Sequence, residues 1–296
     1  MDFREKMTAW GIRINKELDR YVTEYTGPGS NIQKAMKYSL MAGGKRLRPI
    51  LAFAVCETLG GDIEEIIPYA CAIEMIHTYS LIHDDLPAMD NDDFRRGIPT
   101  NHKVFGEAMA ILAGDALLNK AYEIMIEHTY SDKRRFKPGL SAMKVIAESA
   151  GACGMIRGQV IDIESEGRDI SVETLETMHR CKTGAMIKAP VLAAALLCNA
   201  SESEYEKLEE YAENIGLAFQ IKDDIMDVLG SSSQLGKTTG KDALNKKATY
   251  ATLLGIEKAQ EFLDKAIDNA IKSLEEFGEE ADFLRSLAVF IKERNN

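Results

Sequence analysis

The hydrophobic pattern of this chain is helical along almost its whole length. Apolar residues recur at spacings of three and four, the period that places them on one face of an α-helix. The segment from 259 to 274 shows this pattern in Ala259, Phe262, Leu263, Ala266, Ile267, Ala270, Ile271 and Leu274. The strict alternation of β-branched residues that is typical of strands is almost absent. The sequence therefore predicts an all-α protein.

No break in this pattern divides the chain into separate domains. Glycine and proline mark the turns between helices, but no internal repeat or low-complexity segment is present. A length of 296 residues is compatible with two domains or with one large helical domain. We interpret residues 1–296 as a single helical bundle, because the two acidic clusters described next need one shared bundle to meet.

The first acidic cluster follows an apolar run, residues 70–82, which is typical of a buried helix. Aspartates are dense between Asp84 and Asp93, and such a cluster repels itself unless a cation neutralises it. Carboxylate oxygens suit Mg²⁺, which often binds through one or two carboxylates and the phosphates of a substrate. Arg95 and Arg96 follow directly, and guanidinium groups bind phosphate oxygens. A solvated acidic loop is the alternative for this cluster taken alone.

Pro87 bears on the geometry of the first cluster. The residue before a proline is pushed away from the helical conformation, so the helix is predicted to end near Leu86. Asp84 and Asp90 are six residues apart and would not share a face of an ideal helix. The two carboxylates can therefore meet only if the chain folds back after Pro87.

A second pair of aspartates, Asp223 and Asp224, follows another apolar helical run, and Asp227 comes three residues later. Asp223 and Asp227 stand at i and i+4, so a helix puts them on one face. An acidic pair with this spacing is by itself usually a surface feature. Two such clusters, each at the end of an apolar helix, predict a two-walled cage for metal ions and a diphosphate.

A basic segment, Gly43-Gly44-Lys45-Arg46-Leu47-Arg48-Pro49, joins two glycines to three cations. It is not a P-loop, because Lys45 is followed by Arg46 rather than by Ser or Thr. The segment is compatible with a diphosphate cradle or with the basic start of a helix. His77 lies two turns before Asp84 on the same predicted helix, where it is either a core residue or a substrate ligand.

Composition narrows the class of protein. The net charge of −11 argues against a nucleic-acid surface. The five cysteines include no CxxC pair and lie mostly in apolar stretches, which favours free thiols in a reducing cytosol. The longest apolar run, residues 189–198, is too short to span a bilayer, and the first residues do not form a signal peptide. We therefore expect a cytoplasmic protein without a membrane span.

With these motifs in this order, the chain resembles the trans-prenyl diphosphate synthases, and most of all the bacterial farnesyl diphosphate synthases. The resemblance extends from about residue 43 to about residue 242. Asp84-Asp85-x-x-x-x-Asp90 matches the first aspartate-rich motif of that family, and Asp223-Asp224-x-x-Asp227 matches the second. The resemblance implies the isoprenoid synthase fold, a helical bundle around a central cavity, and a homodimer.

The resemblance also implies a role for each matching residue. Three Mg²⁺ ions are expected, with the metal ligands Asp84, Asp90 and Asp223. The expected site for isopentenyl diphosphate comprises Lys45, Arg48, His77 and Arg96. The expected ligands of the allylic diphosphate are Arg95, Lys182 and Lys237. Lys182, Thr183 and Gln220 are the expected catalytic residues, since fixed dipoles near Thr183 and Gln220 stabilise an allylic cation.

The implied reaction proceeds by ionisation, condensation and elimination. Metal ions neutralise the diphosphate leaving group, and isopentenyl diphosphate attacks the allylic cation in a cavity poor in water. In related enzymes the residue five before the first aspartate sets the cavity floor, and here that residue is Tyr79, followed by Ser80. If Tyr79 faces the cavity, its ring stops growth at farnesyl diphosphate. Helical geometry alone does not place it there.

Three other functions are to be weighed against the same sequence features. A geranylgeranyl diphosphate synthase would share the fold and the longer spacing of the first motif. A non-catalytic subunit of a heteromeric synthase would usually lack one aspartate motif, and both are complete here. A terpene cyclase would lack the second aspartate pair and the isopentenyl site at Lys45 and Arg48.

Overall fold

A computed structural model describes residues 2–23, 26–229 and 249–294, and within these ranges the predicted all-α fold is confirmed. The strands in this part of the chain are the short antiparallel pair β1 (Phe94–Arg95) and β2 (Ile98–Pro99). Lys237 and its predicted loop lie outside the described residues.

Fourteen α-helices occupy the described residues. In chain order they are α1 (Phe3–Tyr21), α2 (Asn31–Leu40), α3 (Leu47–Thr58), α4 (Ile63–Asp84), α5 (Asn101–Phe105), α6 (Glu107–Tyr130), α7 (Phe136–Ala150), α8 (Met155–Ser165), α9 (Val172–His179), α10 (Ala185–Leu197), α11 (Glu202–Leu229), α12 (Tyr250–Leu254), α13 (Ile256–Ser273) and α14 (Asp282–Glu293). The same residues also form two 3₁₀ helices (Lys133–Arg135 and Glu275–Ala281) and one π-helical turn (Arg180–Gly184).

Helix α4 is the centre of the bundle. Residues 66–82 are apolar on nearly every face, so this helix has little surface suited to water. Most of its side chains are accordingly buried, and it packs against α3, α6 and α10. Asp62 caps its first turn, because the Asp62 carboxylate accepts a hydrogen bond from the backbone N–H of Glu64. The core of the protein thus fixes the position of Asp84, the last residue of α4.

Helix α11 carries the second acidic cluster into the same bundle. It packs against α10 and α13, and the predicted apolar stripe of residues 259–274 faces it from α13. Within that stripe Phe262 is exposed, so the pattern overstates burial at this one position. The Tyr211 hydroxyl donates to the backbone carbonyl of Leu284 at 2.8 Å, which ties α11 to α14.

Two glycines allow helices to approach the site closely. A Cβ atom on Gly114 of α6 would lie 2.2 Å from Nε2 of His83, and one on Gly158 of α8 would lie 2.1 Å from the backbone nitrogen of Lys182. Neither distance is possible for a real side chain. A larger residue at either position would therefore push α6 from the end of α4, or α8 from the π-helical turn.

No helix among the described residues combines the length and the apolar character needed to cross a membrane.

Candidate active site

The end of α4 and the loop after it, residues 84–96, form what we call the first wall. The helix ends at Asp84, two residues before the predicted end near Leu86. The chain then folds back after Pro87, as predicted, and the backbone N–H of Asp90 donates to the carbonyl oxygen of Asp84 at 2.8 Å. The fold-back brings two of the predicted metal ligands next to each other.

The carboxyl group of Asp84 lies where a negative charge is unfavourable. Burial raises the pKa of Asp84 to about 6. The Lys182 ammonium opposes this rise, while the neighbouring carboxylates of Asp90 and Asp85 add to it. A cation placed between Asp84 and Asp90 would relieve the repulsion between them.

Asp85 has a different role from its neighbour Asp84. Its side chain is only 3% exposed, and both of its carboxylate oxygens accept hydrogen bonds from Nε of Arg95, at 2.7 and 2.9 Å. Nη2 of Arg95 adds a contact of 2.6 Å to the same carboxylate. The predicted diphosphate ligand Arg95 is thus held in place by a buried carboxylate, a partner that the sequence did not reveal.

The two glycines of the basic segment lie against Arg96. The Arg96 guanidinium donates to the carbonyl oxygen of Gly43. A Cβ atom on Gly44 would lie 2.8 Å from Cζ of Arg96, and Gly44 has φ of 119°, so this close approach requires glycine. The structure therefore places Arg96, from the first wall, beside the backbone that precedes Lys45.

Arg46 differs from the other cations of the basic segment in that its guanidinium group is bound by three other parts of the fold. It is buried, and its guanidinium donates to Glu74 at 2.8 Å, to the carbonyl oxygen of Leu40 at 2.6 Å and to Asn15 at 2.8 Å. These bonds join α1, α2 and α4 directly ahead of α3. The segment is therefore the basic start of a helix, and its additional use as a diphosphate cradle stays a prediction.

The charges of Arg48 and Arg96 act on the imidazole of His77, and we call this group of residues, together with Lys45, the basic corner. Burial lowers the pKa of Arg48 to about 10, which leaves it charged at neutral pH. Burial and the guanidinium groups of Arg48 and Arg96 hold the pKa of His77 well below its usual range, so its imidazole is neutral. Nε of Arg48 is buried with no hydrogen-bond partner among the described residues. A phosphate oxygen would supply the acceptor that this group lacks.

Lys182 and Thr183 lie in the π-helical turn between α9 and α10. Turns of this kind are frequent at functional sites. Nζ of Lys182 contacts the buried carboxylate of Asp162 at 2.6 Å, and its charge lowers the pKa of Asp84 in the first wall. Sequence reasoning missed Asp162, which the structure identifies as the partner of Lys182. Thr183 is partly buried in the same turn.

Residues 220–227, near the end of α11, form what we call the second wall. Oδ1 of Asp223 accepts a hydrogen bond of 2.6 Å from Nη2 of Arg294. Arg294 is only 6% exposed at its side chain, stacks on the ring of Phe219 at 3.8 Å and donates to the Phe219 carbonyl at 2.9 Å. Sequence reasoning missed Arg294, because it lies 71 residues from Asp223 and belongs to no recognisable motif.

The other polar residues of the second wall occupy successive turns of one continuous helix. Asp223 and Asp227 both lie within α11, as their spacing predicts, and Gln220 lies one turn earlier and is partly buried. Oδ2 of Asp224 accepts the backbone N–H of Tyr250 at 2.8 Å, which anchors the first residue of α12.

Lys45 connects the basic segment with the second wall. Its ammonium lies 5.9 Å from the ring centroid of Phe290. Burial and the charge of Arg294 lower the pKa of Lys45, and Asp223 acts in the opposite direction. The charge of Asp223 also affects the pKa of Arg48. The two walls and the basic segment therefore share one electrostatic neighbourhood.

The carboxylates fit a metal ion that is shared with a substrate. Within the described part of the chain, no three acidic, histidine or cysteine side chains converge as a ready-made metal site. Asp84 and Asp90 lie together on the first wall, and Asp223 lies on the second. Magnesium typically takes one or two carboxylates, several waters and the phosphates of a substrate. This donor set suits such an ion better than a closed site made of protein alone.

Tyr79 is buried between α4 and α6. Its side chain is 8% exposed, and its ring meets the imidazole of His83 edge to face at a centroid distance of 5.6 Å. Burial raises the pKa of Tyr79, and the nearby Tyr122 of α6 adds to this effect. The hydroxyl of Ser80 donates to the carbonyl oxygen of His77 at 2.9 Å, within its own helix. An aromatic ring thus lies one turn below the first wall.

Comparison with known proteins gives consistent matches along the chain. The polyprenyl synthetase family model matches residues 30–287. A farnesyl diphosphate synthase of Geobacillus stearothermophilus is 49% identical over 263 residues, which cover 88% of this chain and 87% of that protein. The chloroplastic heterodimeric geranylgeranyl pyrophosphate synthase large subunit 1 of Arabidopsis thaliana is 46% identical over 299 residues, covering 100% and 80%. The crystal structure of an FPP/GFPP synthase from Zymomonas mobilis matches with a TM-score of 0.88 and 37% identity, covering 98% of both chains.

Proposed function

Because this chain belongs to the polyprenyl synthetase family and has the isoprenoid synthase fold, it is a trans-prenyl diphosphate synthase, and we propose that its product is farnesyl diphosphate. The proposed substrates are isopentenyl diphosphate and either dimethylallyl or geranyl diphosphate. The observation that carries the proposal is the pair of carboxylate walls with cationic side chains beside each. A similar protein named as a farnesyl diphosphate synthase supports the choice of product.

In this proposal the basic corner binds isopentenyl diphosphate. Lys45, Arg48 and Arg96 contact its phosphate oxygens, and Nε of Arg48, which has no partner in the described part of the chain, gains an acceptor. His77 takes part as a neutral imidazole, because the surrounding guanidinium groups disfavour its protonation. The corner orients the substrate so that its double bond points toward the allylic carbon.

The allylic diphosphate lies between the two walls in this proposal. Asp84, Asp90 and Asp223 would hold Mg²⁺, for which we propose three ions as in related enzymes. When bound, these ions neutralise negative charge on the diphosphate leaving group. Lys182 and Arg95 contribute positive charge from the protein, and each is oriented by a buried carboxylate of its own. Lys237, outside the described residues, is proposed as a third cation.

The remaining residues act on the allylic cation and on its surroundings. Oxygen atoms at Thr183 and Gln220 stabilise positive charge on the allyl group, since fixed dipoles are more effective in a cavity that excludes water. The double bond of isopentenyl diphosphate then attacks the cation, and a proton leaves from the resulting carbocation. We propose the departing diphosphate as its acceptor, because no side-chain base stands out among the described residues.

Tyr79 and Ser80 are proposed to set the length of the product. The buried Tyr79 ring lies about one turn before Asp84 on α4, which supports the proposal that a growing chain meets it. A bulky buried ring at this position limits growth to the farnesyl chain. A geranylgeranyl product is the alternative, since geranylgeranyl synthases are also among the similar proteins.

A product assay tests the proposed function. Labelled isopentenyl diphosphate is incubated with dimethylallyl or geranyl diphosphate, with and without Mg²⁺, and the dephosphorylated products are separated by length. We expect Mg²⁺-dependent farnesol, and longer products from Tyr79→Ala. Tyr205→Ala, a matched tyrosine on α11, should keep the wild-type product. Geranylgeraniol from the wild type would disprove the farnesyl assignment, and no incorporation would favour a non-catalytic subunit.

We also propose that residues 1–296 form one domain and that two copies form a homodimer in the cytoplasm. The apolar side chains of Ile111, Leu112 and Ile126 are exposed on α6, which supports a protein interface there. The five cysteines are all free, as expected in a reducing compartment. Light scattering on the purified protein should give twice the mass of the chain, and a monomer would contradict the dimer.

A further inference from the structure

Two cysteines from different helices lie side by side, away from the proposed active site. Cys56 is buried in the last turn of α3, and Cys198 follows the end of α10 and is partly exposed. The two thiols lie close enough to interact, and their interaction raises the pKa of Cys56 and lowers that of Cys198. A Cβ atom on Gly61 would lie 2.5 Å from Sγ of Cys198 and 3.0 Å from Sγ of Cys56. Both sulfurs therefore lie next to the position that a side chain of residue 61 would occupy, and hence near each other.

The turns that end the two helices hold this arrangement. Gly60 has φ of 66° and Asn199 has φ of 56°, so both helices end in a left-handed residue. The backbone N–H of Gly61 donates to the carbonyl oxygen of Cys56 at 2.8 Å. Because this turn passes directly over both sulfurs, a side chain at position 61 would separate them.

We propose that Cys56 and Cys198 are a reactive thiol pair that a hydroperoxide converts into a disulfide between α3 and α10. Cys198 is the attacking residue, because it is the more exposed of the two and the neighbouring Cys56 lowers its pKa. Cys56 is the resolving residue. This inference does not depend on the proposed prenyl transfer.

The proposed oxidation has two steps. The Cys198 thiolate attacks one oxygen of hydrogen peroxide, the O–O bond breaks, and a sulfenic acid forms while hydroxide leaves. The sulfur of Cys56 then attacks the sulfenic sulfur, forming the S–S bond and breaking the S–O bond. Water leaves with the proton of Cys56. In total two thiols are oxidised and one hydrogen peroxide is reduced to two waters.

The cross-link would lie at the ends of α3 and α10 that are remote from the proposed substrate residues. Arg48 is in the first turn of α3, and Lys182 precedes the first turn of α10. We therefore expect the oxidised protein to keep its activity within about twofold. A disulfide that joins distant positions restricts the unfolded chain, so the unfolding temperature should rise by about 5 °C or more.

Peptide mapping by mass spectrometry tests the proposal. The folded protein is treated with hydrogen peroxide, its remaining thiols are alkylated, and it is digested without reduction. We expect a peptide linking Cys56 to Cys198 that disappears on reduction with dithiothreitol. It should be absent from Cys198→Ser and Cys56→Ser and retained in Cys153→Ser, which removes an exposed cysteine.

Two results would overturn the proposal. One is oxidation of the exposed Cys153 with no linked peptide between Cys56 and Cys198. The other is a linked peptide that forms only after unfolding in urea, because the folded arrangement would then not promote the reaction. Both results are measured on the wild-type protein, so the test does not depend on whether Cys56→Ser folds.

Discussion

The two aspartate pairs have the same letters in sequence but different surroundings in the fold. On the first wall, burial raises the pKa of Asp84, and nearby carboxylates add to the rise. On the second wall, the charge of Asp223 is balanced by Arg294 at 2.6 Å. The first wall therefore gains more from an added cation than the second wall, where an arginine is already in contact.

The second aspartate of each pair is an anchor in both walls. Asp85 binds the guanidinium of Arg95, and Asp224 accepts the backbone N–H of Tyr250. Adjacent residues on a helix point about 100° apart, so one member of each pair can face the site while the other faces the protein. In each Asp-Asp motif, the first aspartate is therefore a candidate metal ligand, and the second accepts a hydrogen bond that holds the fold in place.

The largest expected effect is on turnover. Asp84→Ala, Asp90→Ala and Asp223→Ala should each lower kcat by about a thousandfold or more, because each removes a proposed ligand of the ion that neutralises the leaving group. Steady-state kinetics with circular dichroism as a check on folding would measure this. Asp93→Ala is the matched control, since Asp93 is exposed and pairs with Lys103. Near-normal turnover in any of the three variants would remove that residue from the metal site.

The next effect separates the two members of the first pair. Asp85→Asn should destabilise the fold by about 3 kcal/mol, because it removes the charged partner of a largely buried Arg95. Asp84→Asn should not destabilise it. Urea unfolding of both variants at pH 7.5 gives the comparison, and equal losses of stability would contradict the division into ligand and anchor.

A smaller effect should distinguish the second wall from the first. Asp223→Asn should destabilise the fold by about 1 kcal/mol, because it leaves the buried Arg294 without its carboxylate. The expected loss of stability is small because the Asp223 side chain is 42% exposed, so water partly screens its interaction with Arg294. A double-mutant cycle with Arg294→Gln measures the coupling, and no coupling would show that the pair contributes nothing.

Much of the fold and part of the site follow from the sequence alone. The apolar run before Asp84 predicts a buried helix, and Pro87 predicts the fold-back that joins Asp84 to Asp90. These features depend on local patterns and on the restricted backbone before proline. The sequence therefore predicts the course of the chain in the first wall, but not the contact between Asp85 and Arg95.

The remaining features depend on contacts between distant parts of the chain. Arg294 and Asp223 are 71 residues apart, and Lys182 and Asp162 are joined across a π-helical turn that no periodicity predicts. The sequence does not distinguish Arg46 from Arg48, and only the packing of the helices brings Arg46 into contact with Glu74. Such pairings are set by the packing of helices rather than by spacing within one of them.

The smallest effect concerns pH. The folded-state pKa of Asp84 is about 6, above its ordinary value of 3.8, so the folded protein binds more protons than the unfolded chain between these values. Its contribution to stability is complete below pH 4 and is lost as the pH rises through 6. Asp84→Asn should therefore be more stable than the wild type by about 1 kcal/mol at pH 8, and this advantage should vanish at pH 4.

Urea unfolding of both proteins at the two pH values measures this difference. Asp93→Asn serves as the control, and its stability relative to the wild type should be nearly the same at both pH values. An advantage for Asp84→Asn that persists unchanged at pH 4 would show that the carboxyl charge is not its cause.

The most direct test of the account is calorimetric binding of geranyl diphosphate to the wild type, Asp84→Ala and Asp223→Ala, with and without Mg²⁺. The account predicts that the wild type binds tightly only when Mg²⁺ is present, and that each variant loses about a hundredfold or more in affinity. Such a result would show that both walls hold one metal–diphosphate group. Tight binding without Mg²⁺, or full affinity in either variant, would contradict the claim that the two walls act together.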